Sequence, residues 1–525
     1  MNHIELFAGC GGLSLGLEQS GFERVLANEL SPMAAETFAY NFLGEDLEEK
    51  ATQNGIPQKV RWIKSDFQSL RERLRENPFN ISGKYSDLDD ISCNEDLRGN
   101  LLVGSIVDLN NTLQRSPSLA KALACGFQSG GSLDLVSGGP PCQSFSMAGK
   151  REKDNEKNAL PWEFASFVNI VKPKIVLLEN VTGILRAFQV EDGSKFHAWY
   201  EVAKVFASIG YVPLCLHVNA RHVGVPQNRP RFIMIAVRQD SLTTFLENSP
   251  MMDKKVWEES LNFFQLTTKD VDSVPFGILS YLDSMKISDT HLFKDTFLSP
   301  LVEFWGRDVS VFEAIDDLKV HNPSLGSDYV SRLNGTFTVL EECVSLLNHD
   351  LRKNSPIVKR RFRVYQILQQ LDDRALTKRV FEILRGNETT LNEEDWGRLK
   401  RYRYLHENGE LHSFKTKEQF EHYLLSHPTK KQTQKALVAD SPAPAALSIP
   451  DDACHYDEQE LRVLSVREMA RIQSFPDNFV FRSKITTGGK MRRFEVPQYT
   501  QVGNAVPPLL GKALGKVIST ILDRC

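Results

Sequence analysis

The feature that most constrains this chain is a strand, a glycine turn and a helix in immediate succession: HIELF at residues 3–7, GCGG at 9–12, and LSLGLEQSGF from 13. A short apolar run broken by three glycines turns the backbone sharply, and the apolar spacing that follows is that of a short helix. Comparable apolar runs return at RVLANE (24–29), LDLVSGG (133–139), KIVLLEN (174–180), YVPLCLHVNA (211–220) and RFIMIAVR (231–238), several separated by stretches of helical character. Strands alternating with helices predict an α/β, doubly wound sheet with ligands at the carboxyl ends of its strands.

At 525 residues the chain exceeds what one core usually supports, so more than one domain, or one domain with an insertion, is expected. The alternation lapses twice. Residues 43–100 are charged and rich in Asn and Asp, with weak helical character around RWIKSDFQSLRERLREN, and read as a surface insertion. From about 240 to 460 the pattern is lost, and 351–405 is rich in Arg, Lys and aromatic residues. The expected division is a first domain at 1–330, a second at 331–455, and a C-terminal segment at 456–525 that returns to the first. In that last segment SVREMARIQ has helical spacing and PPLLGKALGKVISTIL is an amphipathic closing helix.

Composition narrows the function classes. Hydrophobic residues at 41% and charged residues at 25% argue against a disordered or fibrous chain. The start lacks a basic segment followed by a long apolar run, and no apolar stretch is long enough to span a bilayer. A cytoplasmic protein without a membrane partner is therefore expected. Eight cysteines are scattered without a CxxC pair or a His/Cys group at metal-ligand spacing, so neither a disulfide framework nor a metal site is expected. The net charge of −4 gives no global attraction to nucleic acid, so any such face must be local.

Several strand ends carry residues suited to chemistry. The turn Gly9-Cys10-Gly11-Gly12 lets a backbone approach a ligand closely, although such turns are as often mere connections. Glu29 ends the next strand, some 20 positions on, where a ribose hydroxyl would be held in a nucleotide site. In SGGPPCQSFS (137–146) two prolines fix the backbone before Cys142 while glycines and serines keep bulk away from it, presenting a thiol on a shaped loop. A lone Cys is more often a small buried hydrophobe, and its context is what favours a nucleophile here. Glu179 ends KIVLLEN, and PQNRPR places Arg231 at the same edge, as an acid/base partner and a guanidinium would be placed around a nucleophile.

In this order FAGCGGLS, ANEL, GGPPCQSFS, ENV, PQNRPRF, SVREMARIQSFPD and QVGNAVPP resemble the motif series of the cytosine-5 DNA methyltransferases, of the prokaryotic modification-enzyme type. The resemblance covers 1 to about 43, 101–240 and 460–525 closely. It implies an S-adenosylmethionine-dependent methyltransferase fold carrying an inserted DNA-recognition domain, with Cys142, Glu179 and Arg231 as catalytic residues. It implies cofactor-binding roles for Phe7, Gly9, Gly11, Glu29, Leu30, Ser105, Ile106 and Asn504. The family often has Asp where Ser105 stands, and commonly a Thr near Ala445, with Ser448 as the alternative phosphate contact. Further implied are duplex DNA as substrate, a flipped target cytosine, a restriction endonuclease as functional partner, and a monomer. Two rivals are a tRNA cytosine-5 methyltransferase, disfavoured by the large second domain, and a non-catalytic DNA-binding relative, disfavoured by the intact Cys142, Glu179 and Arg231.

Overall fold

The computed structural model describes residues 1–89, 94–141, 160–189, 195–337, 346–431, 434–445 and 447–525. The strands expected from the apolar runs form one nine-stranded sheet. They are β1 (Asn2–Leu6), β2 (Glu23–Glu29), β3 (Val60–Trp62), β4 (Asn100–Val103), β5 (Leu135–Gly138), β6 (Ile175–Val181), β7 (Tyr211–Asn219), β8 (Pro230–Arg238) and β9 (Leu282–Asp283). The order across the sheet is β9-β7-β8-β6-β5-β1-β2-β4-β3. All neighbours are parallel except β8, which runs antiparallel between β6 and β7. The chain winds outward from β1 in both directions, so the switch point lies between β1 and β5, with the glycine turn on one side of the crevice and the Gly-Pro-Pro loop on the other.

All five residues of β1 are buried, as both faces of a central parallel strand must be. The helix α1 (Gly12–Glu18) covers the sheet beside it and meets the closing helix, Pro508–Leu522, at very short range. A Cβ at Gly16 would lie 2.4 Å from the Lys512 backbone nitrogen, so the contact between the two chain ends depends on a missing side chain.

Residues 43–100, expected as a surface insertion, contribute to the fold. β3 pairs with β4 as the sheet's edge, and Leu47, Trp62, Leu70 and Leu74 are buried together with Ala27, Phe38 and Leu101. The helical character around residues 60–76 reduces to this three-residue strand and one turn, Leu70–Arg73. A strand that short is invisible to periodicity.

The middle of the chain is mainly helical. Helices Pro356–Leu371, Arg374–Leu384, Glu393–Leu399 and Lys417–Leu425 enclose their own core around Phe362, Tyr365, Leu376, Trp396, Tyr404 and Phe420, closed by Ala436, Cys454 and Val463. Another core joins Val311, Ile315 and Tyr329 to Met469, Phe475 and Val502, and takes in Cys10 and Leu15 from the N-terminal turn and helix. Among the described residues no single helix is long and apolar enough to cross a membrane.

Candidate functional site

The glycine turn is held open by its backbone. Phe7, Gly9 and Gly11 all adopt left-handed φ, at 54°, 56° and 93°. A Cβ at Gly11 would strike the Phe42 ring at 2.2 Å, whereas one at Gly9 would meet nothing within 4 Å, so the turn presents bare backbone to open space. Glu29 fixes that space from the end of β2: its carboxylate accepts from the Gly9 N–H at 2.7 Å and the Ser31 N–H at 2.7 Å. Burial raises its pKa and these backbone donors oppose the rise.

Just past the end of β2 lies a cavity of about 210 Å³, bounded by Leu30, Pro32, Trp62, Val103 and Ser105. Ser105 caps the helix Ile106–Arg115, its hydroxyl accepting from the Val107 N–H at 3.2 Å, and Ile106 is buried beneath. Asn28, one residue before Glu29, donates to the carbonyls of Leu102 and Gly104, both at 3.0 Å, and so ties the ends of β2 and β4 together. Bare turn, acidic strand end and half-apolar cavity fit a nucleoside-type ligand with a tail along the turn. Asn504 is the exposed last residue of the helix Gln498–Asn504. Its successors reach the turn, since a Cβ at Gly12 would lie 2.3 Å from the Val506 carbonyl oxygen and 3.3 Å from the Ala505 Cβ.

Across the switch point Glu179 and Arg231 come together. In the antiparallel register Arg231 stands opposite Val181 and Ile233 opposite Glu179, which puts Arg231 and Glu179 on one face as diagonal neighbours. Arg231 Nε lies 2.8 Å from Glu179 Oε1, and both side chains are nearly buried. Burial lowers the Arg231 pKa and the Glu179 carboxylate beside it pulls in the opposite direction. Gly139 passes so close that a Cβ there would sit 2.9 Å from Glu179 Oε2. Asn180 donates to the Pro140 carbonyl at 2.9 Å, binding the strand end to the loop that leads into Cys142. Cys142 itself lies outside the described residues. Three cysteines elsewhere are plainly structural: Cys10, Cys215 and Cys454 are buried, and burial pushes each thiol's pKa up.

Four further residues tie the segments around the site together and were not singled out in the sequence. Arg229 is buried and donates to the carbonyls of Ala445 (3.2 Å), Gly503 (2.7 Å) and Ala505 (3.1 Å), so it joins β8 to the C-terminal segment. His217 bridges Thr182, in the turn after β6, and Asp283 of β9, at 3.2 Å each. Arg467 donates to the carbonyls of Leu347, Pro476 and Phe479, and Arg471 pairs with Asp317 and Asp477. The only available signal was that each Arg lies inside a quoted motif, at a position where an exposed residue would be unremarkable. Ser448, the alternative phosphate contact, is taken up locally, its N–H donating to Asp452 at 2.7 Å.

A family model described as C-5 cytosine-specific DNA methylase matches residues 1–65, 123–299 and 334–520. The chain is 26% identical over 522 residues to Type II methyltransferase M.DdeI of Desulfomicrobium norvegicum, covering 99% of this chain and 88% of that protein. It is 27% identical over 550 residues to Type II methyltransferase M.Bpa9945I of Bacillus paralicheniformis, covering 99% of each. Among solved structures it is similar to a prophage-encoded E. coli chain provisionally described as a DNA modification methyltransferase. There the identity is 17%, the TM-score 0.48, and the coverage 100% of this chain and 99% of that one.

Proposed function

We propose how the reaction runs in this chain, which belongs to the C-5 cytosine-specific DNA methylase family and is a DNA cytosine-5 methyltransferase: the methyl group of S-adenosylmethionine passes to carbon 5 of a cytosine flipped out of duplex DNA, while the Cys142 sulfur is bonded to carbon 6. The observation that carries this reading is the buried Arg231–Glu179 pair, set against the Gly139-Pro140 backbone that delivers Cys142.

Cytosine carbon 5 is a weak nucleophile until a thiolate adds to carbon 6, which moves an electron pair onto carbon 5. Glu179 holds the exocyclic amine and a proton at ring nitrogen 3, so negative charge does not accumulate in the ring. Arg231 spends Nε on Glu179 and Nη1 on the Pro230 carbonyl, at 2.9 Å, and its Nη2 is the group to bind the base carbonyl. When bound, the cofactor supplies an electrophilic methyl group. Phe7, Gly9 and Gly11 on the turn, Glu29 at the ribose, Leu30, Ser105 and Ile106 at the base, and Asn504 from the chain's other end are the residues to hold it. After transfer a base takes the carbon-5 proton, the electron pair returns to the ring, and the Cys142 thiolate leaves.

The helical domain built on Phe362 and Tyr404 is the DNA-recognition domain in this reading. The relatives' description as Type II methyltransferases supports pairing with a restriction endonuclease. A duplex containing 5-fluorocytosine tests the chemistry, because fluorine does not leave as a proton does. A denaturation-resistant protein–DNA band in the presence of S-adenosylmethionine is expected, and its absence with a well-bound duplex would overturn the covalent course.

A further inference from the structure

We infer that Asp108 and Lys64 read the Watson–Crick edge of the cofactor's adenine, an assignment that rests on the cofactor reading above. The two side chains form an ion pair at the cavity beyond Leu30, Pro32 and Ser105. They reach it from different elements: Lys64 follows the edge strand β3, and Asp108 lies in the first turn of the helix that Ser105 caps.

Adenine offers a donor at its 6-amino group and, beside it, an acceptor at N1. A carboxylate and an ammonium held side by side offer the complementary acceptor and donor. Ser105 lines the same cavity, but one lone pair of its oxygen already accepts from the Val107 N–H, and a carboxylate is the stronger acceptor for the amino group. Lys64 is half-exposed and Asp108 about one-quarter exposed, so an arriving base can reach both without breaking into the core. The neighbouring wall, Glu76, Pro78, Phe79 and Ile81, belongs to residues 66–122, which the family model does not match. Of the two residues, Asp108 lies in that unmatched stretch, and Lys64 stands at the end of the matched residues 1–65.

Calorimetric titration with S-adenosylhomocysteine and with S-inosylhomocysteine tests this, because hypoxanthine presents a carbonyl acceptor and an N1 donor in the reversed order. Wild-type protein is expected to prefer the adenosyl ligand by about tenfold or more. D108N is expected to weaken the adenosyl ligand about tenfold and to lose or invert the preference, since its amide can donate to the inosyl carbonyl. K64M, expected to weaken the adenosyl ligand several-fold, is the second variant, and thermal melts of both establish that the fold is intact. Folded D108N that binds S-adenosylhomocysteine like wild type, or keeps the wild-type preference, overturns the assignment while leaving the cofactor reading in place. Wild-type protein that binds neither ligand overturns both.

Discussion

The sheet's carboxyl edge and the helical domain at 356–463 handle charge in opposite ways. At the edge, Glu179, Arg229 and Arg231 are buried and Glu29 is partly buried, and all four are committed to named backbone groups or to each other. In the helical domain the ion pairs are mostly open to solvent on at least one side, as in Arg379–Asp395, Arg398–Asp373 and Arg403–Glu458. Exposed pairs of this kind contribute roughly 0–1 kcal/mol each, whereas breaking a buried one costs about 3–5 kcal/mol. The difference teaches where chemistry and specificity are stored. In the proposed reading, reaction geometry is fixed by buried groups that tolerate little change, and sequence recognition rests on surface side chains that can be exchanged at small cost to the fold.

The sharpest way to break this comparison is at the reacting thiol. Cys142→Ala is expected to reduce methyl transfer on the order of 10⁴-fold or more, with affinity for S-adenosylhomocysteine nearly unchanged. Turnover close to wild type in a labelled-methyl assay would sink the mechanism. Arg231→Ala tests the buried side directly: it strands the Glu179 carboxylate without its partner and should cost about 3–5 kcal/mol in denaturant unfolding. A loss below about 1 kcal/mol would mean that the pair behaves like the exposed pairs of the helical domain.

Glu5 sharpens the comparison through pH. It lies buried in β1 and accepts from the Ser14 hydroxyl, and burial pushes its pKa up to about 8. The folded protein therefore keeps a proton that the unfolded chain releases above about pH 4.5. The Glu5 contribution to stability is fully present below that point and is lost as pH rises towards 8. Glu5→Gln should flatten this decline, gaining on the order of a few kcal/mol over wild type at pH 8 and little at pH 4.5. Parallel melting curves for the two proteins across that window would show that Glu5 is not the group responsible.

The same contrast explains what was legible in the sequence. The strands, the glycine turn, Glu29, Glu179 and the Arg231 edge were readable because each lies at a strand end, where a change from apolar to polar residues marks position and the backbone brings the ends together. Arg229, His217, Arg467 and Arg471 were not, because their partners lie 35 or more residues away or in loops without periodicity. For Arg229 the distance is extreme: its partner Gly503 is 274 positions distant. β3 was missed for want of length, and with it the wall that its neighbours give the cavity. Asn504 itself is exposed, while Ala505 and Val506 make the contacts with the turn. Asn504→Ala should weaken S-adenosylhomocysteine about five- to tenfold without moving the melt, the loss of one hydrogen bond to a ligand. Undiminished affinity would remove it from the site.

The smallest effect is expected in the helical domain, at Arg360 and Arg361. Arg360 pairs with Glu407 at 3.2 Å, and Arg361 donates to the Pro428 carbonyl at 2.7 Å. Neither contact locks its guanidinium: the Glu407 side chain is 90% exposed and swings away at little cost, and a single carbonyl occupies only one of the five N–H donors of Arg361. Both remain available to phosphates, Arg360 at a cleft of about 530 Å³ whose walls also include Lys359 and Asn408. Each phosphate neutralised contributes about 0.9 to the slope of log affinity against log salt concentration. Replacing both arginines by Ala should therefore flatten the slope by about one to two and weaken duplex binding equally for cognate and unrelated sequences. Cofactor affinity should be unchanged and stability should fall by less than about 1 kcal/mol. A slope identical to wild type would show that this cleft faces away from the DNA, and the recognition surface would then have to be sought on another side of the domain.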